Sequence, residues 1–126
     1  MDTLNVNVLV LAYLGDNIYE YYVRKELIER GIANVNDLQK EAVNYVSAVN
    51  QAKYITNLID EGFFSDEEMD VIKRARNHKS KTHPKSCDVI TYRYATALEA
   101  VIGFLELSGN KDRIISIMDK ILKGGE

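Results

Sequence analysis

Val10-Leu11-Ala12-Tyr13-Leu14-Gly15-Asp16-Asn17-Ile18-Tyr19-Glu20 is the stretch on which the reading of this chain turns. Extended in both directions, its apolar positions Val8, Leu11, Ala12, Leu14, Ile18, Tyr22, Val23 and Leu27 recur at helical spacing, and Gly31 supplies a stop. The pattern predicts one long helix from Val8 to Ile28. Two residues inside it are locally unfavourable. Gly15 lowers helix propensity by about 1 kcal/mol relative to alanine, and Asp16 places a charge in an apolar segment. Adjacent choices of this kind often mark a functional site. The plainer alternative is that Asp16 faces solvent and Gly15 merely lets another helix approach. Glu20, one turn later on the same face, makes a two-carboxylate ledge geometrically feasible.

The remainder of the chain continues in helical periods. Asn36 or Asp37 can cap a second region, whose apolar positions Ala42, Val43, Val46, Val49, Ala52, Ile55, Leu58 and Ile59 run on to Gly62. A break near Ser47 would divide it into two shorter helices. Ser65 and Glu68 have capping-box spacing, so a helix is expected from Ser65 to about Asn77 with Met69, Ile72 and Ala75 on one face. His78 to Ser86 contains the one proline and no apolar residue, and reads as a loop. Another helix is expected from about Asp88 to Leu107. After Gly109 and Asn110, the positions Ile114, Ile115, Ile117, Met118, Ile121 and Leu122 form the apolar face of a last helix ending at Gly124 and Gly125. The expected fold is all-α, with residues 1–126 forming a single domain.

Composition agrees. At 126 residues and 46% apolar content the chain can bury one core without disulfides or structural metal. Seven glycines and one proline are too few turn signals for a sandwich or barrel. No apolar run reaches the roughly 20 residues of a membrane span, and no secretory-type segment opens the chain, so a cytoplasmic protein with no membrane partner is expected. Cys87 is the single cysteine, which excludes an internal disulfide and a multi-cysteine metal site. No pattern around it suggests an activated thiolate.

A second candidate position lies in Tyr94-Ala95-Thr96-Ala97-Leu98-Glu99-Ala100-Val101-Ile102-Gly103, where Glu99 sits among residues that would ordinarily face a core. A buried acid is costly unless it is paired, hydrogen-bonded or bound to a cation. Thr96 and Gly103 fall near the same helical face. Pairing of Glu99 with a basic residue such as Arg93 would be a purely structural explanation. The third feature is the run Lys73 to Lys85. It holds Lys73, Arg74, Arg76, Lys79, Lys81 and Lys85 with no acid, leaving ten basic residues against nineteen acidic ones elsewhere. Such a strip can follow a phosphate backbone; the alternative is a solvated charged face. His78 and His83, five residues apart without a nearby cysteine, are weak metal ligands on spacing alone. Tyr13, Tyr19, Tyr21, Tyr22, Tyr92 and Tyr94 share the two acid-bearing helices and suit either a core or a subunit interface.

Leu14-Gly15-Asp16 and Glu99-Ala100-Val101-Ile102-Gly103 together resemble the two signature elements of the ribonuclease III catalytic domain. The similarity is closer to its Mini-ribonuclease III branch: Leu11 to Asp16, Lys73 to Asn77 with Lys79-Ser80, Pro84-Lys85 and Asp88-Val89, and Thr91-Tyr92-Arg93-Tyr94 all look like that branch. The resemblance extends over nearly the whole chain. It implies a homodimeric helical domain without a separate double-stranded-RNA-binding domain. The implied activity is magnesium-dependent endonucleolytic cleavage of double-stranded RNA, with the precursor of the large-subunit (23S) ribosomal RNA as the biological substrate. Asp16 and Glu99 match the residues that hold Mg2+ in the family. The longer enzymes carry further acids at positions matching Leu9, Ala12 and Thr96, and this sequence departs from that pattern. Double-stranded RNA suits the residues too, because A-form helices are read through shape, 2′-hydroxyls and phosphates rather than through an aromatic platform.

Two other functional classes are consistent with parts of this pattern. A double-stranded-RNA-binding module of the same fold would keep the basic strip without cutting. A helical adaptor would use Asp16 and Glu99 as core ion-pair partners, but makes the co-occurrence of these features an accident. The strip itself can be tested directly. Replacing Lys79, Lys81 and Lys85 together by alanine should weaken RNA binding and make the dependence of log K on log salt shallower by about one unit for each lysine that meets a phosphate. A salt titration with an unchanged slope would remove the phosphate-contact role.

Overall fold

Each helix begins where a side chain can accept a hydrogen bond from a free backbone amide. In the computed structural model, which describes residues 2–78 and 87–124, a short 3-10 turn at Thr3–Asn5 precedes α1 (Val8–Glu29), α2 (Val35–Val46), α3 (Ala48–Asp60), α4 (Asp66–Arg76), α5 (Val89–Leu107) and α6 (Lys111–Leu122). There is no strand among the described residues. Asn7, Asn34, Ser47, Ser65, Asp88 and Asn110 are the N-caps. The expected capping box is present: the Ser65 hydroxyl accepts from the Glu68 amide, and the Glu68 carboxylate accepts from the Ser65 amide at 2.8 Å. The second region does divide at Ser47, whose extended backbone both closes α2 and caps α3. One expected start shifts. Neither Asn36 nor Asp37 caps α2; the cap is Asn34, whose side-chain Oδ1 accepts from the Asp37 amide at 2.9 Å, so Asp37 lies inside the first turn and complements the helix dipole.

The core is arranged around α5. From Ala95 to Leu105 every residue of that helix except Glu99 is buried, the signature of a helix surrounded by others rather than laid on a surface. It packs against α1, α3 and α4, and more lightly against α6. Leu11, Tyr19, Val23 and Leu27 of α1, Ile55 of α3, Val71 and Ile72 of α4, and Ile114, Ile117 and Met118 of α6 close the core around it. α2 contributes no fully buried residue and lies along α1 through the partly buried Leu38, Ala42, Tyr45 and Val46. Glu68 serves a second purpose beyond its cap. Its carboxylate receives two bonds from Arg113 of α6, at 2.7 and 2.9 Å, and the same guanidinium donates to the Phe63 carbonyl at 3.1 Å.

The tightest constraint is the α1–α5 crossing. A Cβ on Gly15 would overlap the backbone carbonyl of Glu99, and one on Gly103 would overlap the carbonyl of Leu11. The two helices therefore meet backbone to backbone, with each glycine facing the other helix's carbonyl. An exposed helix-interior Gly→Ala change gains about 1 kcal/mol of propensity. Gly15→Ala and Gly103→Ala should show the opposite sign, losing about 2 kcal/mol or more, because main chain has to move to admit the methyl. Chemical denaturation of the two variants measures this, and a stabilised variant would contradict the contact.

Candidate active site

The glycine contact determines which side chains meet. Gly15 lies over the carbonyl of Glu99, so Asp16, the next residue of α1, comes beside Glu99 of α5. Asp16 is exposed, whereas Glu99 is half-buried. Their carboxyl groups are within hydrogen-bonding reach, and Glu20 adds a further negative charge nearby. Asp16 and Glu20 also line a surface cavity of about 310 Å³ with Tyr13, Leu14 and Asn17. The structure thus brings together the two acids singled out in the sequence, with the suggested Glu20 ledge alongside. Glu20 itself is 3.8 Å from Arg24 in an exposed i,i+4 pair.

Among the described residues no cation balances the pair. Burial pushes the Glu99 carboxyl up to about 9, and the adjacent Asp16 pushes it in the same direction by accepting a hydrogen bond from the protonated group and by like charge. A hydrogen bond from Gln51 opposes this, and Glu20 adds to it. Arg93, suggested as a structural partner for Glu99, has its Nε buried without a partner among the described residues. Two carboxylates in a partly desolvated site, with only a neutral amide between them and electrostatic imbalance, form a donor set suited to a hard divalent cation. Among the described residues, no cluster of three or more His, Cys, Asp or Glu side chains offers a larger metal-binding set.

The positions where further acids were considered are differently occupied. Leu9 is exposed, Ala12 is buried, and the buried Thr96 hydroxyl donates to the Tyr92 carbonyl of its own helix at 3.0 Å. The tyrosines separate cleanly. Tyr19 is fully buried and its hydroxyl donates to the Tyr45 carbonyl at 2.6 Å, whereas Tyr13 and Tyr21 are 85% and 58% exposed. Lys73, Arg74 and Arg76 occupy the last turn of α4, where cations complement the helix dipole. Arg74 is additionally paired with Asp70 at 3.2 Å. Lys79, Lys81, His83 and Lys85 lie outside the described residues. Gln51, only 4% exposed on α3, is the site residue that the sequence reading missed. Its signal was available: it stands four and seven residues before Ile55 and Leu58, on an otherwise apolar stripe.

Comparison with known proteins agrees with this geometry. Residues 9–110, which include both acids and both crossing glycines, match the Ribonuclease III domain family. The chain is 43% identical over 117 residues to Mini-ribonuclease 3 of Staphylococcus aureus, covering 93% of this chain and 87% of that protein. The chain belongs to the Mini-ribonuclease 3 family of endoribonucleases. It is also 46% identical over 114 residues to Mini-ribonuclease 3 of Brevibacillus brevis, with coverage of 90% and 84%. The crystal structure of a Fusobacterium nucleatum protein superimposes with a TM-score of 0.85 at 35% identity, covering 97% of this chain and 96% of that one. The all-helical fold expected from the sequence is therefore that of the Mini-ribonuclease 3 family, and no described helix is long and apolar enough to cross a membrane.

The raised Glu99 carboxyl carries a stability signature. The folded protein without metal holds a proton that the unfolded chain releases above its ordinary value of 4.5, so stability is lost as pH rises from about 4.5 towards about 9. Glu99→Gln removes that proton linkage. In chelator, the variant should melt close to wild type at pH 4.5 and roughly 5–10 °C higher at pH 8. Equal melting temperatures at pH 8 would show that the carboxyl is not held in its neutral form.

Proposed function

We propose that this protein is a magnesium-dependent endoribonuclease that cleaves double-stranded RNA, with Asp16 and Glu99 holding the cation. The observation that carries the reading is the convergence of these two acids at the glycine crossing without a basic partner among the described residues. Bound Mg2+ would polarise the scissile phosphate and lower the pKa of a coordinated water. Glu99, in its ionised form, would hold the cation from the core side. The exposed Asp16 stands on the substrate side, so the opening at Tyr13, Asp16, Asn17 and Glu20 is where a phosphate would approach. Lys73, Arg74 and Arg76 at the end of α4, continued by Lys79, Lys81 and Lys85, supply positive charge for the RNA backbone.

A homodimer supplies a cut in each strand. Support for it comes from the outer face of α1, where Val10, Tyr13, Tyr21 and Ile28 are exposed beside the acid-bearing face. Aromatic and aliphatic side chains of this kind are enriched at subunit interfaces. A pair of copies joined along α1 would carry two sites on one assembly. Residues 1–126 act as one ribonuclease III-like catalytic domain, working in the cytoplasm. The proposed biological substrate is the precursor of the large-subunit (23S) ribosomal RNA, which the family resemblance implies.

Cleavage of a long double-stranded RNA with Mg2+ or with chelator tests the proposal. Wild type should cut only with Mg2+. Asp16→Ala and Glu99→Gln should retain RNA binding and lose at least about a hundredfold in rate, given the several kcal/mol that a metal contributes to transition-state stabilisation. Wild type that binds this RNA without cutting it would instead identify a non-catalytic binding module.

A further inference from the structure

We propose that Arg74 and His78 at the end of α4, with Arg93 of α5, form a binding site for one backbone phosphate of the double-stranded RNA. Among the described residues, three side-chain polar atoms are buried without a hydrogen-bond partner: Arg74 Nη2, His78 Nδ1 and Arg93 Nε. All three belong to side chains that can carry positive charge. A buried polar group left unpaired costs free energy, most of all on a charged side chain. Loose packing would scatter such atoms over donors and acceptors alike rather than gather them on cations.

Helix register brings the three to one place. Glu67, Val71, Arg74 and His78 follow one another at spacings of four, three and four residues, as do Arg93, Ala97, Ala100 and Phe104. Each set therefore forms one stripe along its helix. Phe104 shares a cavity with Glu67 and Glu68, and α4 packs on α5. The start of α4 thus meets the end of α5, and the two helices run antiparallel. Moving one turn at a time from that contact sets Val71 against Ala100, Arg74 against Ala97 and His78 against Arg93. His78 follows the C-cap Asn77, and its amide donates to the Ala75 carbonyl at 3.2 Å, which carries the stripe past the helix end. Asp70 accepts from Arg74 Nε at 3.2 Å, which steadies that side chain while its Nη2 stays without a partner.

A phosphate supplies what this cluster lacks. Guanidinium N–H groups form a planar fork that matches two phosphate oxygens, and a protonated imidazole adds a further donor. Lys73 and Arg76 flank the cluster in the last turn of α4, which favours a polyanion over a lone carboxylate. Arg93 precedes Glu99 by six positions, a rise of about 9 Å along α5, so a strand held here runs within a few nucleotides of the two acids. Charge spread along a strip holds a backbone in any register, whereas a buried fork fixes one phosphate and with it the register of the strand.

The site rests on the proposed action on double-stranded RNA, so binding is measured with the full-length protein in chelator, where the RNA stays whole. Arg93→Gln should bind a double-stranded RNA about 10–100-fold more weakly. Its dependence of log K on log salt should be shallower by about one unit. Arg93→Lys, which keeps the charge and loses the fork, should recover the slope but not the affinity. Without RNA, Arg93→Gln should melt at or above the wild-type temperature, because a buried cation lacking a partner has been removed. Inorganic phosphate should raise the wild-type melting temperature over chloride of equal ionic strength by an increment that Arg93→Gln lacks. Arg93→Gln that melts lower and binds RNA with unchanged affinity and slope would mark a packing residue, overturning the site and leaving RNA binding intact. The phosphate increment without any change in RNA binding would identify a pocket for free phosphate and overturn the RNA contact. Wild type that binds no RNA would overturn both readings. Should Arg93→Gln fail to fold, the His78 ring resonances of the wild type decide: movement in step with RNA binding upholds the site, and fixed resonances overturn it.

Discussion

The α1–α5 crossing brings two stretches of main chain together, where Gly15 of α1 faces the Glu99 carbonyl and Gly103 of α5 faces the carbonyl of Leu11. Contacts this short have room only for hydrogen on Cα and can be supplemented by weak Cα–H···O bonds. Each of the two glycines forfeits helix propensity, and what is obtained is a crossing of two helices with a defined register. Everything else follows from that register. α5 becomes the central helix, α3, α4 and α6 pack against it, and the residue after Gly15 comes alongside the carboxylate of Glu99. A shift of one residue along either helix would set a side chain against a carbonyl and carry Asp16 away from its partner.

Glu68, buried, and Glu99, half-buried, make an instructive pair. Glu68 is desolvated, yet two bonds from Arg113 and one from the Ser65 amide outweigh burial and keep its carboxyl below the usual range. Glu99 is desolvated with only acids and an amide around it, and its carboxyl is held far above that range. The same side chain in two environments thus does two things. Glu68 is internally satisfied and joins α4 to α6. Glu99 is left with a demand for positive charge that nothing in the described chain meets, as expected where binding rather than stability has shaped the surroundings.

Much of this architecture was legible in the sequence because its signals are local. The capping box at Ser65 and Glu68, the break at Ser47 and the terminating glycines each follow from backbone groups that must be satisfied within a few residues. Gly62 is an example: it ends α3 at a φ of 68°, a conformation open to glycine. Asp16 and Glu99 were visible as charges in apolar stretches, and the resemblance joined them. Other features depend on tertiary contact. Gln51 stood out as a polar residue on an apolar stripe, but its partner lies 48 positions away on another helix. The assignment of Tyr19 to the core and Tyr13 to the surface required knowing which side of α1 meets α5. The start of α2 was misplaced because Asn34, Asn36 and Asp37 are all good caps, and only the backbone shows which of them is extended.

Ser47 separates two helices of unequal security. α2 places no fully buried side chain in the core, while α3 contributes Gln51, Ala52, Ile55 and Leu58. Because the serine ends one hydrogen-bonded ladder and begins the next, α2 can open without carrying α3 with it. The bond from Tyr19 to the Tyr45 carbonyl marks the last point at which such an opening remains attached to the core. Amide hydrogen exchange should accordingly be graded, fastest along the outer turns of α2, slower in α3 and slowest in the middle of α5. Asp16 and Glu99 sit on the slow side of that boundary, so local unfolding of the second helix leaves the two acids in register.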